Sequence, residues 1–81
     1  MNTPENIEQN NTRAELDELR AAAKRFLIAE ATARDAMQRA AHYSDPSAIG
    51  FNLESAARWT AEAAAAYSAA QTARMLLRAK L

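Results

Sequence analysis

Residues 42–52, "HYSDPSAIGFN", contain the chain's only histidine, its only glycine and one of its two prolines. Residues 12–41 and 53–81, on either side of this stretch, form long segments that lack both glycine and proline. Asp45-Pro46 favours the start of a capped turn, and Gly50 can adopt the positive φ that ends such a turn. The stretch therefore predicts a turn over residues 44–51 that joins two helices.

The segment before this turn predicts a long amphipathic helix over residues 12–43. Residues 12–15, "TRAE", are typical of a capping box, in which threonine and glutamate each bond a free backbone N–H. Apolar or small residues then recur at alternating spacings of three and four, which places them on one side of a helix. They are Leu16, Leu19, Ala23, Phe26, Ala33, Met37 and Ala40. The stripe is widened by Ala22, Leu27, Ala29, Ala36 and Ala41. The polar residues 1–11 are expected to form a flexible arm.

The segment after the turn predicts a second helix over residues 52–80, capped by Asn52. Residues 47–49 either form a separate short turn or belong to this helix. Alanine is so frequent that two inward stripes fit the second helix equally well. Both stripes contain Ala56, Ala63 and Ala70; the first adds Trp59, Ala66 and Ala73, and the second adds Leu53, Thr60 and Tyr67.

The predicted fold class is all-α, an antiparallel helical hairpin, because two long helices joined by a few residues must lie side by side. Folding the chain about residue 48 places Phe26 beside Ala69 and Ala70, so that large side chains face small ones. A chain of 81 residues builds a core worth only a few kcal/mol. We therefore expect two hairpins to dimerise into a four-helix bundle.

Composition excludes several classes of protein. The absence of cysteine excludes disulfides, and a single histidine is too few for a self-contained zinc site. Ten basic and ten acidic residues cancel, so no overall field attracts nucleic acid or an anionic membrane. The sequence has neither a signal-peptide pattern nor an apolar run of membrane-spanning length. We expect a soluble cytoplasmic protein without metal or cofactor.

Two groupings of polar residues invite a catalytic or metal-binding interpretation. His42, Ser44 and Asp45 have the residue types of a nucleophilic triad, but neighbours along an exposed turn splay apart, and a triad depends on convergence. Glu30 and Glu62 are a possible carboxylate pair, but the Glu-x-x-His element of ferritin-like sites is absent. The sequence predicts no catalytic residue and no metal ligand.

Glu30 is unusual because it interrupts the apolar stripe of the first helix. In one interpretation it leans to the edge of the stripe and pairs with Arg34 one turn later. In the other, a polar residue within the packed stripe fixes the register or the oligomeric state.

A lone hairpin buries one stripe of each helix and leaves other large apolar residues in water. We therefore interpret the chain as a non-enzymatic interaction module, such as an adaptor, a co-chaperone, or a phage-encoded or bacterial regulatory inhibitor. Its expected partner is a second copy of itself, a helical partner protein, or both. The residues expected at the interface are Phe26, Leu27, Ile28, Trp59, Ala63, Tyr67, Ala70 and Leu77.

The alternative function is a dimeric hairpin that binds RNA through the first helix. The basic residues on its outer surface are Arg13, Arg20, Lys24 and Arg34. Acidic residues lie between them and cancel much of their field. Binding to nucleic acid is therefore the second hypothesis.

The layout also resembles a known family of helical hairpins. A polar arm, a long first helix, "SDP" at 44–46 and a second helix near the C-terminus are similar to the needle subunits of type III secretion systems and their small co-chaperones. Needle subunits carry polar, asparagine-containing patterns in the last helix, whereas residues 61–81, "AEAAAAYSAAQTARMLLRAKL", are rich in alanine. The resemblance therefore implies a co-chaperone and carries over no functional residue.

Overall fold

A computed structural model describes the backbone of residues 4–80 and the side chains of residues 12–80. The described residues form two helices, α1 (Pro4–His42) and α2 (Pro46–Lys80). The helices pack against each other along their length as an antiparallel hairpin with extents of 65 × 18 × 13 Å. The predicted all-α hairpin fold is confirmed.

The N-terminal boundary of α1 differs from the prediction. The helix begins at Pro4, so it passes through Thr12 without a cap, and residues 4–11 are helical. Proline suits the first turn of a helix, and extending an established helix avoids the cost of nucleation. These two effects account for the earlier start. Residues 1–3 of the predicted arm lie outside the described residues.

The turn between the helices consists of only three residues, 43–45. The Tyr43 backbone N–H donates to the Arg39 carbonyl at 3.2 Å at the end of α1. Asp45 caps α2, since its Oδ2 accepts from the Ala48 backbone N–H at 3.0 Å, and Pro46 occupies the first helical position. The turn therefore begins one residue before the predicted start and ends six residues before the predicted end, because residues 46–51 belong to α2.

Two residues that were expected to end the turn lie within α2. No described residue has a positive φ, so Gly50 does not adopt the left-handed conformation. Asn52 is not a helix cap either; it is buried, and its side chain donates to the Ala48 carbonyl at 2.8 Å. Because Asp45 already caps α2 at its start, neither a turn that ends at Gly50 nor a cap at Asn52 is needed to begin the helix.

Replacing Gly50 with alanine is therefore expected to stabilise the hairpin. A Cβ built at this position meets nothing within 4 Å, and glycine in a helix costs about 1 kcal/mol relative to alanine. Urea denaturation should show the free energy of unfolding rising by about 0.5–1 kcal/mol. A decrease in stability would indicate that Gly50 needs a conformation that alanine cannot adopt.

The core of the hairpin is built from alanine. Within residues 12–80, every buried hydrophobic residue is an alanine, and we call this set the alanine seam: Ala22, Ala29, Ala36, Ala40, Ala56, Ala63, Ala66 and Ala73. On α1 and on α2 these alanines repeat at spacings of three, four or seven, as in an antiparallel coiled coil. Such small side chains allow two helix backbones to approach closely.

The seam also decides between the two stripes that fit α2. Ala66 and Ala73 are buried and Trp59 is half-buried, whereas Leu53 and Tyr67 are exposed, which selects the stripe through Trp59. On α1 the predicted stripe is rotated from the observed one. Ala22, Ala29 and Ala36 are buried there, while Ala23 and Met37 are exposed, because the closest packing uses the smallest residues.

Three polar contacts between the helices fix their register. Lys80 Nζ lies 2.8 Å from Glu15 Oε1 at the open end, and Arg25 Nη2 lies 3.3 Å from Glu62 Oε1 farther along. Near the turn, Arg39 Nε donates to Asn52 Oδ1 at 3.0 Å. Only the last contact involves a buried group, since Asn52 is 5% exposed. It is the contact expected to contribute most.

Candidate interaction surface

The larger apolar side chains lie mostly outside the alanine seam. Among the described residues, nine such side chains are exposed: Leu27, Ile28, Met37, Tyr43, Phe51, Leu53, Tyr67, Met75 and Leu76. Single exposed apolar residues are normal on a protein surface, whereas a group on one side of the molecule marks an interaction site. An interaction site therefore requires several of these residues to lie on the same side of the hairpin.

One group surrounds a shallow hollow of about 300 Å³ between the two helices. Ala23, Phe26 and Leu27 line it from α1, and Tyr67 and Ala70 line it from α2. The rings of Phe26 and Tyr67 meet at a centroid distance of 5.9 Å with a 55° tilt, and the Tyr67 hydroxyl accepts from Gln71 Nε2 at 3.0 Å. Phe26 is half-buried, while Leu27 and Tyr67 are more than half exposed.

Two further apolar residues extend this surface toward the turn. Met37 follows Ala23 by fourteen residues and Leu53 precedes Tyr67 by fourteen, which is close to four helical turns in each case. Both therefore lie on the side of the hollow, and both are about half exposed. We call the surface formed by Ala23, Phe26, Leu27, Met37, Leu53 and Tyr67, with the intervening Glu30, Arg34 and Thr60, the Leu27 face.

The polar residues of the Leu27 face lie at its middle. Glu30 Oε1 and Arg34 Nη2 are 4.0 Å apart and both side chains are exposed, so Glu30 sits at the edge of the seam and pairs with Arg34. The first interpretation of Glu30 is confirmed. The Thr60 hydroxyl donates to the Ala56 carbonyl at 2.7 Å. The face therefore has two apolar ends around a polar centre.

The opposite side of the hairpin is charged. Ile28 lies about 100° around α1 from Leu27, on the side that carries the Arg25–Glu62 ion pair. A second hollow there, of about 230 Å³, is lined partly by Glu18 and Arg25. Leu27 and Ile28 were expected at one interface, but the structure places them on different surfaces.

The other residues expected at an interface belong to the hairpin itself. Ala63 is buried in the alanine seam. Trp59, Ala70 and Leu77 are half-buried along the same line of α2. Phe26, Leu27, Tyr67 and Ala70 of the expected set come together around the hollow of the Leu27 face. The sequence did not identify Met37 and Leu53 as members of that face.

The polar residues of the turn lie at the surface. His42, Ser44 and Asp45 are exposed, and the Asp45 carboxylate caps α2. Glu62 pairs with Arg25 and does not face Glu30. Over the described part of the chain, no group of three potential metal-ligating side chains occurs.

The basic residues of the alternative hypothesis form a partial line. Arg13, Arg20 and Arg34 are separated by seven or fourteen residues, so they lie along one side of α1, with Leu27 between them. Lys24 lies about 40° to one side of this line. Arg13, Arg20 and Lys24 have no ion pair with any residue among 12–80.

Comparison with known proteins found no match: no family model fits the sequence, and no curated protein or solved structure is similar to it. Along the described residues, neither α1 nor α2 has the combination of length and apolar character that crossing a membrane requires. The surface itself is therefore the basis for assigning a function.

Proposed function

We propose that this chain is a non-enzymatic protein–protein interaction module that binds a helical partner, including a second copy of itself, through the Leu27 face. One observation carries the proposal. The hairpin packs with alanines and leaves its larger apolar side chains exposed, with Leu27 at 61% and Tyr67 at 55%. Adaptor, co-chaperone and inhibitor are all roles in which such a module covers the apolar side of a partner helix.

The shape of the Leu27 face supports a helical partner. The hollow lies in the groove between two antiparallel helices, and its lining is almost entirely apolar. A helix in a groove is recognised through side chains at spacings of three and four, which fit a groove of this kind. Half-buried Phe26 forms the floor of the hollow, and Leu27 and Tyr67 form its rims.

Site-specific photo-crosslinking in the cells that produce the protein tests this proposal. Leu27 and Ile28 are adjacent and almost equally exposed, at 61% and 64%, so Ile28 is a matched control for Leu27. Benzoylphenylalanine in place of Leu27 is expected to give a protein adduct at least ten times more abundant than the same group in place of Ile28. Mass spectrometry then identifies the adduct as a second copy or another protein. Equal adducts at both positions, or none, would contradict the proposal.

RNA binding is the second candidate, because Arg13, Arg20 and Arg34 lie along one line of α1. Asp17 lies one turn from Arg13 and near Arg20, and it weakens the positive field there. Binding to total RNA at 50 and 200 mM salt separates the two functions, since phosphate contacts weaken steeply with salt. Salt-sensitive binding that Arg20→Ala reduces would favour the RNA function.

A further inference from the structure

The residues of the Leu27 face follow nearly the same order when read in either direction. On α1 the residue types are symmetric about position 32. Ala23 corresponds to Ala41, Leu27 corresponds to Met37, and charged Glu30 corresponds to charged Arg34. On α2 Leu53 is matched by Tyr67 about position 60, and Ala57 is matched by Ala64 about a centre half a residue farther along.

The two centres of this pattern lie at the same height along the hairpin. Phe26 contacts Tyr67, and Arg39 contacts Asn52. Position 32 is about halfway between Phe26 and Arg39, and position 60 is about halfway between Tyr67 and Asn52. The register of the hairpin therefore places positions 32 and 60 side by side, so both helices share one centre of symmetry on the face.

We propose that a second copy of this chain covers the Leu27 face in an antiparallel, two-fold symmetric arrangement. This inference rests on the proposed function and names the partner. The two-fold axis lies in the interface, perpendicular to the helices, at the height of Thr60. Each α1 then packs against α1 of the second copy, and each α2 against α2. Leu27 meets Met37 of the second copy, and Tyr67 meets Leu53 of the second copy.

Charge complementarity selects this arrangement over a parallel one. With the axis at the height of Thr60, Glu30 lies opposite Arg34 of the second copy, and the pair occurs twice. A parallel arrangement would place Glu30 level with the gap between Thr60 and Ala64, and Arg34 level with the gap between Ala57 and Thr60, so neither charge would face an opposite charge on the Leu27 face. The pair within one chain is long, at 4.0 Å, and both side chains remain exposed.

The shape of the hairpin also fits a second layer. The chain exposes 6227 Å², whereas a compact monomer of this mass exposes about 4,800 Å². Part of the excess comes from the start of α1, which extends beyond the Glu15–Lys80 contact. The whole excess, about 1,400 Å², is larger than the roughly 800 Å² that each partner loses in a standard interface.

The Leu27 face is oriented relative to the alanine seam as a four-helix bundle requires. Its residues lie on average about 100° around each helix from the alanine seam, with Phe26 nearer to the seam and Leu27 farther from it. In a four-helix bundle each helix contacts two neighbours at nearly a right angle. The seam supplies the first contact of each helix, and the Leu27 face supplies the second.

A distance between labels distinguishes the two arrangements. The chain has no cysteine, so Ala79→Cys provides a single exposed labelling site near the end of α2. In the antiparallel dimer two such labels are separated by about 57 Å along the helices, since each lies nineteen residues from the axis. In a parallel dimer they lie at one height, under about 30 Å apart. Pulsed electron spin resonance measures both ranges.

Mixing two charge variants tests the pairing directly. Glu30→Arg and Arg34→Glu each place like charges at the centre of the antiparallel interface, and each is expected to weaken self-association at least tenfold. An equal mixture of the two should recover association, because the opposite charges then face each other between chains. Asp35→Arg changes the charge by the same amount as Glu30→Arg, but on the other side of α1. It is expected to leave association unchanged.

The outcomes separate this inference from the proposed function. A long label distance together with recovery on mixing supports the antiparallel dimer. A dimer with a short label distance, or without recovery, overturns the antiparallel arrangement but leaves self-association in place. A chain that remains monomeric overturns the inference. The proposed function would then depend on the Leu27 crosslink to a different protein.

Discussion

Replacing Ala66 with leucine is expected to lower the free energy of unfolding by about 3 kcal/mol. Ala66 is fully buried in the alanine seam between the two helices. A leucine there must push the backbones apart or adopt a strained rotamer. Alanine and leucine have nearly equal helix propensity, so the change isolates the effect of packing. Urea denaturation measures the loss.

Ala65 provides the matched control for Ala66. It is adjacent in the sequence but exposed, so Ala65→Leu should change stability by less than about 0.5 kcal/mol. Ala63→Leu should resemble Ala66→Leu, because Ala63 is also buried in the seam. Similar losses at Ala65 and Ala66 would mean that the alanines serve helix propensity alone, and the close packing of the hairpin would then be wrong.

Replacing Arg39 with methionine is expected to cost about 2 kcal/mol. The change removes the donor to Asn52 Oδ1, and that oxygen belongs to a side chain that is only 5% exposed. A buried acceptor without a partner keeps its full desolvation cost. Methionine preserves helix propensity and much of the apolar stem of arginine. Thermal and urea denaturation both report the loss.

A double-mutant cycle with Asn52→Leu separates this bond from other effects. When both partners are replaced by apolar residues, no buried polar atom is left unpaired, so the double variant should be more stable than Arg39→Met alone. The expected coupling energy is about 1 kcal/mol or more. Strictly additive losses would show that the Arg39–Asn52 bond does not contribute to the register near the turn.

The hairpin could be predicted because its local signals agree. Asp45-Pro46 marks the start of the turn, and long segments without glycine or proline lie on both sides. The end of the turn could not be predicted in the same way. Gly50 and Asn52 are typical turn residues, but Asn52 has a tertiary partner in Arg39, and that contact lies beyond any local pattern.

The rotation of α1 was predicted only in part, because the alanines that form its core were expected at the margin of the stripe and not at its centre. A hydropathy pattern gives most weight to large residues such as Phe26 and Met37, so they appeared to define the buried stripe. The helices instead pack through Ala22, Ala29 and Ala36, because closer backbones gain more contact along the whole hairpin. This packing through alanines leaves Met37 at the surface.

The interaction surface was predicted only in part. Phe26, Leu27 and Tyr67 were expected at an interface and do share the Leu27 face, whereas Ile28 lies on the charged side. Met37 and Leu53 were not recognised as interface residues. The side of the hairpin on which they lie can be assigned only after the buried alanines of the seam are known. On each helix, apolar residues also recur at spacings of three and four along a second stripe beside the buried one. This second stripe is the signal that could have identified Met37 and Leu53.

The mass of the protein in solution tests the central claim most directly, since the claim is that the Leu27 face drives association. Sedimentation equilibrium at micromolar concentration is expected to give twice the chain mass of 8.9 kDa. Leu27→Lys should weaken association at least tenfold, about 1.4 kcal/mol, while Ile28→Lys should leave it nearly unchanged. A fully helical protein with the mass of one chain at all concentrations, or equal effects of the two substitutions, would contradict the account.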